Sequence, residues 1–349
     1  MTDITAESQP AAAADTQAKG TEFQNDLRRK GLPPKVVKGL TAQNDLRATL
    51  GVLETFGTIA LMVGLSLYFW HPLVVIPCMF ILATRHQALF VLAHDAAHYR
   101  LYKSRTLNDL VGRLCGIVIG FSTRTYRVVH RLHHNHLYEK QDPDIPLNAG
   151  YPRGKAYLYK KLIADLFALN AWKTYRYFFG APSINDNAEK ANRPLDDTSP
   201  KLRAQARADR WWVVGFHVTA PLVALYFGYL LEYVVLWIVP GITMLQPILR
   251  LRAVCEHGAV TDYSSPMTAS RTNLGPKWFM WLFFPHDVNY HVEHHMYPSI
   301  PFYNLKRAHR LMQEHGVFEH AEIRHVFDTL KMVVADRPQK SDTSEPRTA

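Results

Sequence analysis

The sequence predicts an all-α fold: an integral membrane helical bundle of about four transmembrane helices, paired as two hairpins, with a helical cap on the cytoplasmic side. Three observations predict it. Long apolar runs arrive in two closely spaced pairs. Lys and Arg crowd the segment between the pairs and are missing from the hairpin tips. Histidines gather in short clusters, each where a chain leaving the bilayer reaches that same side.

Composition sets the frame. The chain has 349 residues, 48% of them hydrophobic and 12% aromatic, enough for one large domain. Mean hydropathy is slightly negative, which suits a few spanning helices inside a polar body. The formal charge of +10 admits nucleic acid or an anionic membrane surface as a partner. The basic residues are interleaved with acids and long apolar stretches, and no nucleic-acid-binding signature is present, so the membrane is favoured and nucleic acid is not. Cys78, Cys115 and Cys255 are scattered beside apolar residues, against both a disulfide framework and a cysteine zinc site.

The elements follow in order. Residues 1–44 are polar and aperiodic, read as a disordered or loosely attached arm without a secretory signal. A membrane domain is expected over 45–335, with cytoplasmic segments at about 94–210 and 250–335, and a flexible tail over 336–349. The first apolar run, 51–70, has the length of a bilayer core, which takes about 20 helical residues. His71-Pro72 breaks it, and Pro72 starts the second run, 72–93, closing a tight hairpin. The second hairpin is expected from runs 211–231 and 233–249, with Glu232 at the turn and a kink at Pro240-Gly241. Trp70, Trp211 and Trp212 stand at run ends, where an interfacial ring is favoured. Stretches 107–121 and 278–284 are too short or interrupted to span and read as interfacial or re-entrant. Segment 151–210 is rich in Lys and Arg, so the positive-inside bias puts it in the cytoplasm with both termini and the histidines.

The histidine spacing carries the chemistry. His94 and His98 lie four apart, so helical geometry turns both rings to one face. His130, His133 and His134 repeat that logic with spacings of three and four, as do His291, His294 and His295. One such pattern is commonly coincidence; three on one side point to metal. Neutral imidazole suits iron, zinc, copper and nickel. A zinc ion takes about four ligands, fewer than the clusters supply, so two metals sharing the set fit better. No His-Glu-x-x-His is present, against a metalloprotease. Glu322-Ile323-Arg324-His325 is a single Glu-x-x-His copy, short of the pair in soluble di-iron bundles. His257, at the cytoplasmic end of the last run, is a ninth candidate, in competition with a satisfied polar residue.

The motifs HDAAH at 94–98, HRLHH at 130–134 and HVEHH at 291–295 resemble the three histidine boxes of the membrane fatty acid desaturase and hydroxylase superfamily. The resemblance covers roughly residues 45–325. It implies two non-haem iron ions above a helical bundle, with dioxygen as cosubstrate and two electrons per turnover. It gives metal roles to His94, His98, His130, His133, His134, His257, His291, His294 and His295. It implies a double bond introduced into a fatty acyl chain, or a hydroxyl added to one. The three residues between His94 and His98 look more like the acyl-lipid, sphingolipid and carotenoid branches than the acyl-CoA branch. His71-Pro72 is followed by Leu73-Val74 rather than two glycines, so no fused haem domain is visible. An external donor, ferredoxin-like or a haem protein with its reductase, is implied. The basic middle segment suits an acidic donor, or serves only to set topology.

Around the boxes, Asp95, Glu256 and Asn289 are candidates to act beside the metals, with Asp142, Asp144, Asp287 and Glu293 also within reach. Each competes with a capping or surface role. His136 and His286 break the spacing and stay outside the ligand set, and His217 reads as structural. Arg85, His86 and Gln87 lie inside the second run, where polar groups must face the bundle interior or a cavity; they line a substrate path, brace the metal site or form a structural network. Rival functions are a carotenoid hydroxylase or ketolase, a desaturase of a small amino-acid-derived metabolite, a membrane zinc hydrolase, and a metal-binding membrane protein without activity.

Overall fold

The computed structural model describes residues 31–139, 142–145, 150–179, 199–260 and 262–336. The expected arm over 1–30 and the tail from 337 lie outside the described residues. Residues 31–44 depart from the expected loose arm. They include a helix, Pro34–Leu40, whose Leu40 is buried with Leu32 against Val292, Ile300 and Leu305. The backbone N–H of Leu32 donates to the Tyr297 hydroxyl at 3.0 Å. These few apolar side chains are too short a signal to show a helical period.

Among the described residues, three helices are long and apolar enough to cross a membrane: Asp45–Tyr68, Pro72–Ala97 and the interrupted 230–257 stretch. The first starts at Asn44, whose side chain accepts from Arg47 N at 3.1 Å. It exposes Leu46, Leu50, Leu53, Leu61 and Leu67, a leucine face that only lipid would cover. His71 caps the second helix through Nδ1, and Pro72 takes its first position, as the hairpin reading requires. Burial separates the two: 17% of the apolar window is buried in the first helix and 72% in the second. The second helix is therefore the centre of the bundle. Its Leu82, Leu89, Leu92 and Ala93 sit in the main core with Phe121, Tyr126 and Leu236.

The second hairpin differs from the expectation in detail. The expected run 211–231 occupies the C-terminal half of a longer helix, Pro200–Tyr226, that begins in charged sequence. The turn falls at Gly228, not Glu232, because Gly228 takes a left-handed φ of +79°, which glycine adopts without a Cβ clash. Glu232 lies inside the next helix, Leu230–Tyr233. That stretch passes through a π-helical turn, Val234–Ile238, and a short helix, Val239–Ile242, that contains Pro240. It resumes as Leu245–His257. The expected kink is thus a π-bulge followed by a break at Thr243.

The remaining described helices are shorter. Stretch 107–121 is helix Arg105–Ile117 and stretch 278–284 is helix Lys277–Phe283. Lys155–Leu166 packs Leu158 against Val254 and Val333. Strands Arg271–Leu274 and Glu322–His325 pair in parallel, a feature the sequence reading did not anticipate. Buried Arg271 donates to the carbonyls of Cys255 and Gly258 at 3.1 and 2.9 Å, and so answers the open C-terminal end of the helix that carries His257. Cys78, Cys115 and Cys255 are free and buried.

Candidate metal centre

The helix Pro72–Ala97 delivers His94, and the turn that ends it delivers His98. Helix Thr123–Asn135 delivers the second box. Its start is fixed by Ser122, whose hydroxyl accepts from Thr125 N at 3.1 Å and donates to Asp209 at 2.7 Å. The third box is a six-residue helix, His291–Met296. Glu293 in its middle reaches away from the other rings. It accepts from Thr272 Oγ1 at 2.5 Å and pairs with His309, tying the box to a strand and to helix Phe302–Glu314.

Nine imidazoles converge in two groups. One holds His94, His98, His130, His134 and His294; the other holds His133, His257, His291 and His295. Within each group one nitrogen per ring lies within 4.8 Å of every other. The groups adjoin, with the His134 and His295 rings 4.4 Å apart between centroids. Every nitrogen-bearing ring proposed from the boxes, and His257, is in one group or the other. His136, paired with Glu139 at 2.9 Å, is in neither. His286, 2.9 Å from Thr55 Oγ1, and His217, bonded to the Ile117 carbonyl, are in neither as well.

The donor set fits metal ions. Nε2 of His134 is 3.0 Å from that of His130 and 2.9 Å from that of His294. Nε2 of His291 is 2.8 Å from that of His257 and 3.1 Å from that of His295. A metal–nitrogen bond of about 2.1 Å sets neighbouring ligand nitrogens at right angles about 3 Å apart. Two buried ring nitrogens of the five-membered group, His94 Nδ1 and His98 Nε2, have no hydrogen-bond partner. Such an excess of unpaired nitrogen in a buried place is costly unless a cation answers it.

Backbone and side-chain partners aim several rings. His257 Nδ1 donates to the Ala269 carbonyl at 3.0 Å, which leaves Nε2 to face His291. His130 Nδ1 lies 3.1 Å from the Tyr126 hydroxyl, and the Tyr126 ring stacks on it. His133 Nδ1 meets Asp142 Oδ1 at 2.9 Å, which leaves Nε2 for the other three rings of its group. Tyr126 was missed in the sequence, although its place four residues before His130 on one helix face was a readable signal.

Electrostatics separates His133 from its neighbours. Burial, reinforced by the surrounding histidines, holds His130, His134, His291, His294 and His295 well below the usual imidazole range. Burial, with Arg127 and Arg100 nearby, brings His98 down to about 3. These rings are neutral at pH 7, the form that binds metal. Burial also lowers His133, but Asp144, Asp142 and Glu256 outweigh it and raise the ring to about 9. The aspartates therefore hold the Nδ1 proton and strengthen Nε2 as a donor. We expect Asp142→Asn to lower metal retention or turnover by roughly 10- to 100-fold, the usual cost of removing a ligand's orienting partner. Metal per chain and product yield in the same preparation check this.

Asp95, Glu256 and Asn289 hold different posts. Asp95 Oδ2 accepts from Phe302 N at 2.8 Å while its Oδ1 stays 3.7 Å from His94 Nδ1, so the carboxylate pins a helix start instead of touching a ring within bonding distance. Asn289 exchanges hydrogen bonds with Asn273 through Nδ2 and its carbonyl, at 2.9 and 3.0 Å, and seats the third box against the strand. Glu256 accepts from Arg252 at 2.7 Å and lies 3.8 Å from His291 Nε2, the nitrogen that faces His257 and His295. Asp142, grouped with the weaker candidates in the sequence, is the carboxylate that bonds a cluster ring.

A family model described as fatty acid desaturase matches residues 69–327, a span that contains all three boxes and His257. The chain belongs to the fatty acid desaturase family. This desaturase is an oxidoreductase and a membrane protein. It is 24% identical to the sn-1 oleoyl-lipid 12-desaturase of Anabaena variabilis, over 90% of this chain and 92% of that protein. It is 26% identical to the dihydrorhizobitoxine desaturase of Bradyrhizobium elkanii, over 70% of this chain and 69% of that one. It is 23% identical to the chloroplastic omega-6 fatty acid desaturase of Glycine max, over 84% of this chain and 69% of that one.

Proposed function

We propose that this desaturase uses dioxygen to introduce a double bond into a fatty acyl chain, of the acyl-lipid type rather than acyl-CoA. The observation that carries the reading is the pair of adjoining imidazole groups at the inner end of the central helix. One iron would be held by His94, His98, His130, His134 and His294, and a second by His133, His257, His291 and His295. When bound, and supplied with dioxygen and two electrons, the iron pair provides an oxidant strong enough to break an unactivated C–H bond. The chain's own residues present neutral nitrogens, orient them through Asp142, Tyr126 and the Ala269 carbonyl, and keep them buried from bulk water. Asp95 and Asn289 act as positioning residues, and Glu256 stands beside the second group, 3.8 Å from His291 Nε2.

The proposal extends to topology and partners. Residues 45–335 form the membrane domain. A fourth crossing comes from the apolar half of helix Pro200–Tyr226, which exposes Val218, Leu222, Val223 and Leu225. Both termini and the histidines face the cytoplasm, where an external ferredoxin-like or haem donor with its reductase delivers electrons. The spacing of the first box and the near full-length match to a lipid desaturase support the acyl-lipid type.

The test is expression in a host with a known lipid profile, followed by mass spectrometry of lipids and metabolites and metal analysis of the purified protein. The expected result is a new species lighter by two hydrogens in the lipid fraction and about two irons per chain, one for each group. A gain of oxygen in the product would replace desaturation with hydroxylation. One zinc, no iron and no oxygen uptake would remove the reading altogether.

A further inference from the structure

Arg85, His86 and Gln87 are consecutive on the central helix and buried, yet they face three surroundings. Arg85 pairs with Glu54 at 3.0 Å, lies over the Trp281 ring and bonds its carbonyl. The Gln87 amide bonds the Phe283 carbonyl. His86 borders a cavity of about 430 Å³, and neither of its ring nitrogens has a hydrogen-bond partner.

The cavity is otherwise satisfied. Val118, Val213, Val218 and Ile242 give it an apolar wall. The other polar side chains that border it are taken by backbone: Tyr175 by the Gly241 carbonyl at 3.2 Å, His217 by Ile117 at 3.0 Å, and Trp237 by Val118 at 2.7 Å. Among the described lining side chains that carry a polar atom, His86 alone has no hydrogen-bond partner at either of its nitrogens. Two glycines keep the space clear. A Cβ on Gly241 would stand 3.2 Å from the Tyr175 oxygen and 3.5 Å from His86 Nδ1, and one on Gly120 would meet the Tyr175 ring at 2.8 Å. The ring of Trp237 lies edge-on to His86, 4.3 Å between centroids.

We propose that this cavity binds an uncharged, largely hydrocarbon molecule bearing a hydroxyl group, and that His86 recognises the hydroxyl. A neutral imidazole offers one N–H donor and one acceptor nitrogen. A hydroxyl pairs with either; a carbonyl pairs with the N–H alone. An anion would find no cation, since no charged residue lines the wall and Arg85, next to His86 in the chain, is turned away to Glu54. A plain alkyl chain would leave the ring unpaired, at the full cost of burying it. His86 lies two turns from His94, about 12 Å along the helix axis. Phe90, one turn along and packed on Phe121, Tyr126 and Phe178, stands between the cavity and the histidine groups. The site therefore needs no iron to fill, and its failure would leave the proposed reaction untouched.

Trp237 supplies the readout. Decanol and decane, each brominated at one end, are matched quenchers of its fluorescence in the full-length protein held in detergent micelles. The expected result is a preference of the wild type for the alcohol that exceeds that of His86→Leu by roughly 10- to 100-fold in Kd. His86→Gln, which keeps a donor and an acceptor, retains much of the preference, and Trp237→Phe removes the part of the quenching that favours the alcohol. If His86→Leu does not fold, Gly241→Val places a side chain before the ring and should abolish the preference with His86 intact. The same alcohol-to-bromoalkane ratio in wild type, in either variant and in empty micelles would overturn the proposal, as would quenching that survives Trp237→Phe unchanged.

Discussion

His134→Ala is expected to abolish turnover, lowering product formation by more than roughly 100-fold, beyond the cost of losing a partner that merely orients a ligand. The reason lies in where His134 stands. Its Nε2 is 3.0 Å from that of His130 and 2.9 Å from that of His294, so it joins the second box to the third inside one group. Its ring is also 4.4 Å from His295, at the seam with the other group. Removing it takes one nitrogen from a set of five and opens space at the seam. His134 is half-buried and bears on the ring groups, not on the apolar core, so the variant should unfold in detergent at close to the wild-type temperature. Iron per chain, oxygen uptake and product are measured together. Full turnover with reduced iron, or normal iron with normal turnover, would show that His134 plays no part in the reaction.

Much of this arrangement could be read in the chain because spacing encodes direction. A helix turns residues three and four apart to one face, so each box already announced that its rings point together. The first hairpin was equally plain, since Pro72 can only begin a helix and the runs on either side match a bilayer. What the spacing could not give is the pairing between boxes. Sequence order suggests that His133 and His134 serve one metal, yet adjacent residues on a helix diverge by about 100°, and here they join different groups. The supporting acids were also hard to rank. Asp95 sits inside the first box and stood with Asn289 among the better candidates, but its carboxylate turns to the N–H of Phe302, a residue far along the chain. Asp142, in a turn beyond the second box, bends back to His133 because Tyr138 and Asp144 donate their N–H groups to it. The short parallel strands escaped notice because each is only four residues long and holds charges that pair across the ladder, Arg271 with Glu322.

His257→Ala carries the second large expectation: iron should fall from about two per chain toward about one, with turnover lost by roughly 100-fold or more. His257 is the one member without a box around it, so nothing in the local pattern marks it except its place at the end of the last apolar helix. The geometry gives it company. Its Nε2 lies 2.8 Å from that of His291, and its ring is 4.9 Å from His133 and 5.0 Å from His295. Its Nδ1 donates to the Ala269 carbonyl, which fixes the tautomer that leaves Nε2 unprotonated. That group has four rings against five in the other, so the loss of one is felt more, and the five-ring group should keep its ion. His136→Ala is the matched control, because His136 pairs with Glu139 outside both groups and its loss should leave two irons in place. If His257→Ala instead retained both irons and its turnover, His257 would be a polar side chain satisfied by a carbonyl, and three histidines with Glu256, 3.8 Å from His291, would be the set to test next.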